Sequence, residues 1–431
     1  MAAGQPSLPV TYSDSVQFLY ALGNEMKTAR LGLERIRALL AALDNPQSAF
    51  RVVHVAGTNG KGSTCAMIDA GLRAAGVRTG LFTSPHLIEP TERIQVDGIP
   101  VSQAQFSKAF DVIHRTAQSL HLDAHPSYFE TVTAMAFLLF REMGVHTAVV
   151  EVGLGGRLDA TNVVCPALTV ITPIDFDHQM YLGNTIEAIA GEKAGILKPN
   201  IPAIFGHQRP EAAAVLGARA RDLGMEVRRT SDVKIFDLEM DARCSRFKVD
   251  GVGTVECPLA GEHQVGNAVT AALSLDALGI SPRGIPEARW PGRLEQISPN
   301  PDIILDGAHN PAGARALADY IQRYYPNRKR WMIFGAMSDK PVSEIGRILF
   351  PLADDLILTA ADSPRSATPH TLVEAAGGGR AASNLAAALH IVKEEAAAED
   401  VIFITGSLFL VGEARAAAYN KYSWPFSGAW S

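Results

Sequence analysis

Short apolar runs rich in branched residues alternate along this chain with longer stretches whose apolar positions recur at helical spacing. FRVVHVAG (Phe50 to Gly57) precedes a helix-like stretch from Thr64 to Ala75. TGLFTS (Thr79 to Ser84), a helical pattern from Glu130 to Met143, TAVVEVG (Thr147 to Gly153) and ALTVITPI (Ala167 to Ile174) continue the series. Strands separated by helices predict a parallel sheet covered by helices. From Thr254 to Pro291 the pattern gives a short extended piece and then a helix around Asn267 to Ala277. The segment Ser281 to Pro301 carries five prolines, whose missing backbone donors suit neither a regular helix nor a central strand. The domain boundary is expected at its end, dividing 1–301 from 302–431.

Beyond that point DIILDGAHNPAGARALADYI opens a new strand, loop and helix. Strands are expected at Trp331 to Phe334, Asp355 to Thr359 and Val401 to Thr405, and the alanine-rich 381–398 region reads as a helix. The expected fold is α/β, with a parallel-rich N-terminal sheet and a smaller Rossmann-like α/β C-terminal domain.

Composition adds limits. A chain of 431 residues is long for one core, and 47% hydrophobic with 19% charged residues describes a globular protein. The net charge of −6 leaves no electrostatic footprint for nucleic acid. Cys65, Cys165, Cys244 and Cys257 show no C-x-x-C spacing, which argues against a zinc site or a disulfide framework and fits a reducing cytoplasm. The first residues lack a basic start followed by an apolar run. Runs such as Ala134 to Phe140 fall short of the roughly 20 residues that span a bilayer, so a soluble, cytoplasmic protein without a membrane partner is expected.

The chemistry concentrates in VAGTNGKGST (Val55 to Thr64). Its strand, loop and helix order suits a phosphate loop: glycines admit close approach, amides point at oxygens and a helix N-terminus favours negative charge. Lys61 would neutralise the terminal phosphates; an ordinary turn with a solvated lysine is the bland alternative. The usual loop runs G-x-x-x-x-G-K-[ST], whereas Val55 replaces its first glycine and Gly62 its metal-binding hydroxyl. Metal candidates are therefore Ser63 or Thr64, or residues ending later strands: Ser84, Glu151, Asp175, Asp177 and His178. Parallel strands converge their C-terminal ends on one crevice, and a carboxylate ending TAVVEVG is costly to bury alone.

GLGGRLDATN (Gly153 to Asn162) suits backbone approach toward a ligand, and Lys193 in GEKAGILK reads as a solvent-facing helix charge. In DGAHNP, capping explains Asn310 and Pro311 but leaves Asp306 and His309 unexplained. Arg293 in PGRLE offers a guanidinium for phosphate.

The ordered motifs GTNGKGS, TSPHL, ERI, SYFE, EVGLGGRLDATN, DHQMYLG, EKAGI, HQVGNA, PGR and DGAHNP resemble the folylpolyglutamate synthase family of the Mur ligase superfamily. The resemblance runs from about residue 28 to the end, and LGLERI with RLDATN is most similar to the bacterial bifunctional dihydrofolate synthases/folylpolyglutamate synthases. It implies ATP-dependent ligation of L-glutamate to dihydropteroate, or to the glutamate tail of reduced folates, through an acyl phosphate. Thr58, Asn59, Gly60 and Lys61 would then hold ATP phosphates, with Asn267, Arg293 and Asp306 also contacting ATP and His309 near them. Ser84, Glu151 and His178 would bind magnesium, as one or two ions. Arg30, Leu31, Gly32, Leu33, Ser127, Tyr128, Phe129, Glu130, Leu158, Asp159 and Ala160 would bound the pterin. Lys193 matches a lysine carbamylated in the family, which would make it catalytic alongside Lys61 and His309. Arg30 stands where bacterial relatives often carry an acid. The resemblance also implies a monomer. The alternatives are an enzyme with the polyglutamate activity alone, a P-loop switch or transport ATPase, and a non-catalytic folate- or nucleotide-binding module.

Overall fold

The computed structural model describes residues 10–23, 32–120, 122 and 124–419. They form two compact units. The first holds the described residues up to Ile174 together with His178–Val233 and Thr270–Gly284; the second holds Asp175–Asp177, Lys234–Val269 and the described residues from Ile285 onward.

The first unit contains β1 (Arg51–Ala56), β2 (Thr79–Phe82), β3 (Ile94–Val96), β4 (Ile99–Pro100), β5 (Thr147–Glu151), β6 (Leu168–Ile171), β7 (Ala203–Phe205) and β8 (Val227–Arg229). They make one sheet in the order β4-β3-β2-β5-β1-β6-β7-β8. It is parallel from β2 to β8, and only the β3 and β4 edge runs antiparallel. In register, Val55 faces Glu151, Ala56 faces Ile171 and Phe82 faces Val150. The C-terminal ends of β2, β5, β1 and β6 therefore lie side by side, with the chain leaving each at the same rim.

Central strands buried on both faces need continuous apolar runs, and β1 is buried from Val52 onward. Helix Tyr128–Glu142 packs on this sheet and buries nearly all of its length, which explains why its sequence is apolar around its whole circumference. Phe82, Phe106, Phe110, Phe137 and Phe140 are the largest side chains sealed in this core.

The second unit has two sheets. β9 (Ile235–Met240), β10 (Ser245–Val249) and β11 (Gly253–Cys257) form an antiparallel meander. β12 (Glu295–Pro299), β13 (Asp302–Asp306), β14 (Arg330–Phe334), β15 (Asp355–Leu358), β16 (Arg380–Ala381) and β17 (Val401–Thr405) form a second sheet, ordered β12-β13-β17-β14-β15-β16. All its pairs are parallel except the edge pair of β12 with β13.

The α/β class and the strands read from apolar runs are present. The proline-rich segment becomes a 3-10 turn at Pro282–Glu287 and the edge strand β12, positions where missing donors are tolerated. The short extended piece expected from Thr254 is β11, but the pattern did not reveal β7, β8, β9, β10, or helices Gln103–Ser119 and Pro210–Asp222. β7 and β8 are three residues each, too short to establish a period, and β9 is exposed along nearly its whole length.

Candidate functional site

β1 ends at Ala56, and the next residues turn sharply into helix Lys61–Ala74. Gly57 has φ 153°, and a Cβ there would fall 1.8 Å from the Thr172 hydroxyl. Gly60 caps the helix at φ 83°, a left-handed conformation that side chains resist. The amides of Thr58 and Asn59 both donate to the Pro173 carbonyl, at 2.9 and 3.2 Å. The amide of Thr64 closes the first helical turn on Gly60, so the amides of Lys61, Gly62 and Ser63 lie in the first turn of the helix. Lys61 Nζ donates to the Thr58 carbonyl at 3.2 Å. Thr64 is fully buried, which closes its hydroxyl to a metal.

Lys193 is not the solvent-facing charge that its helix pattern suggests. It is buried, and its Nζ donates to the Gly57 carbonyl at 2.7 Å. Glu151, buried at the end of β5, accepts the Ser84 amide at 3.0 Å. Burial pushes the Cys65 thiol up, with the Glu151 carboxylate adding to the effect and the Lys61 ammonium opposing it. Glu151 and Lys61 thus both act on one point of the helix that follows the loop. His178 is half-buried and heads the short helix Gln179–Leu182 in a left-handed conformation. Among the described residues no group of three or more His, Cys, Asp or Glu is arranged to hold a metal.

The acceptor candidates form a neighbouring cluster. Ser127 caps helix Tyr128–Glu142 in a reciprocal box with Glu130, and Glu130 also pairs with Arg35 at 3.1 Å. That ion pair ties SYFE to the LGLERI helix, where Leu33 is buried beside Gly32. The Phe129 ring lies 5.8 Å from that of Phe82, and a Cβ on Gly153 would meet it at 2.5 Å. Tyr128 is buried with the Arg93 guanidinium 5.0 Å above its ring. Leu158 is half-buried and Ala160 is buried. Asp159 is buried and accepts the amides of Leu154 and Thr161; burial raises its carboxyl above the usual range, and the Thr161 hydrogen bond opposes this. Arg30 and Leu31 lie outside the described residues. The GLGG glycines are approached by the protein itself: Gly153 by Phe129, and Gly156 by the backbone of Glu192 and Lys193.

In the second unit, Asp306 ends β13 and its carboxylate takes the amides of Leu294 and Ala308 at 3.0 and 2.9 Å. Burial raises its carboxyl, with the Arg293 guanidinium pulling the other way. A Cβ on Gly307 would lie 2.3 Å from Arg293 Nη1, so the guanidinium rests on the DGAHNP backbone. Asn267 is buried and donates to Gln264 at 2.9 Å. His309 Nδ1 bonds the Gly307 carbonyl at 2.8 Å, and its Nε2 lies 3.6 Å from Asp177. Asp177 also accepts from Asn310 at 3.2 Å and from Lys340 at 2.8 Å. These contacts give Asp177 partners of its own in the second unit.

Comparison with known proteins gives the same picture. The Mur ligase middle domain model matches residues 55–275 and the Mur ligase glutamate ligase domain model matches 292–408. The Bacillus subtilis dihydrofolate synthase/folylpolyglutamate synthase is 34% identical, over 89% of this chain and 94% of its own length. The Mycobacterium tuberculosis protein of the same name is 36% identical, over 96% of each. This chain belongs to the folylpolyglutamate synthase family. Folylpolyglutamate synthase from M. tuberculosis, solved with ADP and AMPPCP, superposes with a TM-score of 0.86 at 36% identity, covering 94% of this chain and 99% of that one. Escherichia coli FolC, solved with DHPP and ADP, gives 0.86 at 32% identity, covering 98% and 100%.

As a folylpolyglutamate synthase family member, the chain is an ATP-dependent ligase. No helix among the described residues is long and apolar enough to cross a membrane. Sequence reasoning missed three site neighbours of this folylpolyglutamate synthase relative: Lys340, Arg35 and His54. Lys340 and Arg35 reach acids 163 and 95 positions away, beyond any local motif. The one signal for His54 was a polar residue within RVVHVA.

Proposed function

We propose that this ligase joins L-glutamate both to dihydropteroate, forming dihydrofolate, and to the glutamate tail of reduced folates. The acceptor carboxylate attacks the γ-phosphorus of ATP and ADP leaves. The amino nitrogen of glutamate then attacks the acyl phosphate carbon, loses a proton, and expels phosphate as the amide forms. The observation that carries the reading is the charge gathered around the phosphate loop, where Lys61 and Lys193 bond loop carbonyls and the buried Glu151 carboxylate takes the Ser84 amide.

In this reading Thr58, Asn59, Gly60 and Lys61 take ATP phosphates, using the first-turn amides and the Lys61 ammonium. Asn267, Arg293 and Asp306 complete the ATP contacts and His309 stands next to them. The Ser84 hydroxyl and the Glu151 carboxylate suit magnesium, a hard cation that completes its shell with phosphate and water oxygens; the His178 imidazole, the third ligand in this reading, is a softer donor than magnesium usually takes. When bound, magnesium would neutralise charge on the transferring phosphoryl group. Gly32, Leu33, Ser127, Tyr128, Phe129, Glu130, Leu158, Asp159 and Ala160 bound the acceptor's ring system, together with Arg30 and Leu31. Lys193 is carbamylated by attack of its neutral amine on carbon dioxide with loss of a proton, which replaces a cation with an anionic oxygen donor. The enzyme acts as a cytoplasmic monomer.

Phosphate release with ATP, magnesium and L-glutamate, measured with dihydropteroate in one reaction and tetrahydrofolate in another, tests the proposal. Acceptor-dependent release is expected in both. Release with tetrahydrofolate alone removes the dihydrofolate synthase activity, and equal release without acceptor removes the ligase reading. A mass increase of one carbon dioxide on the peptide carrying Lys193 tests the carbamate.

A further inference from the structure

His54 sits inside β1 with none of its surface exposed. Its Nε2 lies 2.8 Å from the Thr161 hydroxyl, which in turn bonds the Asp159 carboxylate at 2.5 Å. Backbone amides donate to both carboxylate oxygens of Asp159, which holds the group as an acceptor, so the single hydroxyl proton of Thr161 goes to Asp159 and its lone pair takes the Nε2 proton of His54. The network thereby fixes the imidazole tautomer with a bare Nδ1. That Nδ1 is buried and has no hydrogen-bond partner. Burial and the nearby Lys198 ammonium push His54 down to about 3, so the ring stays neutral and remains a one-proton donor at neutral pH.

A buried polar atom without a partner is destabilising, a cost which a valine at this place in an otherwise apolar strand would avoid. A polar residue placed at such a cost asks for a role, and the far end of this hydrogen-bond chain supplies one. Asp159 Oδ1 also accepts the Thr161 amide, and Oδ2 accepts the Leu154 amide at 2.9 Å. The carboxylate is thus held between the strand that launches the phosphate loop and the loop that follows Glu151.

We propose that His54 is a positioning residue for the folate acceptor, acting through the Thr161 hydroxyl to orient Asp159; this rests on the assignment of Asp159 to the acceptor made above. His54 touches neither substrate. It sets the rotamer of Thr161, and Thr161 sets which carboxylate oxygen of Asp159 stays turned into the loop.

The test compares KM for dihydropteroate with KM for ATP in the full chain. His54→Leu removes the donor, Thr161→Val cuts the relay without touching β1, and His54→Gln returns an N–H near the Nε2 position. Both cutting variants should raise the acceptor KM about tenfold, the scale of one lost buried hydrogen bond, with ATP KM and kcat within about twofold. His54→Gln should return the acceptor KM to within about threefold of wild type. Asp159→Asn separates the two layers. If it raises the acceptor KM while a folded Thr161→Val does not, the relay is overturned alone. If neither variant moves it, the acceptor assignment of Asp159 falls and the relay with it. Equal rises in both KM values would reduce His54 to a general packing residue and also overturn the proposal.

Discussion

Lys61 in the first unit bonds a main-chain carbonyl, that of Thr58, whereas Lys340 in the second bonds the carboxylate of Asp177. A carbonyl orients an ammonium without neutralising it, so in the proposed reading Lys61 keeps its charge for an incoming phosphate. Lys340 and Asp177 cancel each other, and both side chains are largely buried, at 9% and 11% exposed. The same residue type is therefore left with an uncompensated charge in one unit and paired with an acid in the other.

The strongest way to break this contrast is to remove each lysine and read activity and stability together. Lys61→Ala should lower ATP- and acceptor-dependent phosphate release by about 10²–10³-fold, the usual cost of losing one preorganised stabiliser of transition-state charge. Its denaturation midpoint should stay near wild type. Lys340→Met should instead cost about 3 kcal/mol in denaturant unfolding, because it leaves the Asp177 carboxylate buried with weaker partners. If Lys61→Ala destabilises the chain as much as Lys340→Met, the distinction fails.

The same contrast decides what could be read in advance. The strand–turn–helix geometry at VAGTNGKGST was legible because its requirement is local: Gly60 must adopt a left-handed turn and the helix must begin at once. Ser84 and Glu151 were legible through topology, since strands adjacent in a parallel sheet end together. The partners of Asp177 were not, because no periodicity links it to Lys340 across 163 positions. Lys193 was misread for a related reason. Its helix pattern carries no marker of the loop carbonyl that buries it, and helical spacing alone defaults to solvent.

A smaller effect sharpens the comparison through pH. His54 is neutral in the folded first unit, pushed down to about 3 by burial and by Lys198, while an unfolded histidine titrates near 6.5. Between those values the unfolded chain binds the extra proton, so this contribution is complete above about pH 6.5 and is lost as pH falls toward 3. At pH 5.5 the loss is about 1.4 kcal/mol. His54→Gln cannot take that proton, so its stability relative to wild type should improve by about that amount between pH 7.5 and 5.5. A constant difference would show that the native and unfolded chains bind the His54 proton equally over this range, and that burial does not keep the ring neutral.

The smallest expected effects come from the helix caps, one in each unit. Ser127 caps helix Tyr128–Glu142 and Asn310 caps helix Pro311–Tyr324, each accepting the amide three residues on. Loss of either cap to alanine should cost about 1 kcal/mol. The two differ in what else the side chain does. Ser127 shares its box with Glu130, which keeps its ion pair with Arg35 when the hydroxyl is gone. Asn310 also donates to Asp177, so Asn310→Ala removes a second bond from a largely buried carboxylate that Lys340 already shares. Asn310→Ala should therefore exceed Ser127→Ala in denaturant unfolding, and the excess should shrink in a Lys340→Met background, where the Asp177 cluster is already broken. Equal costs in both backgrounds would mean that Asn310 acts as a cap alone, and the second unit would then hold Asp177 through Lys340 and His309 without it.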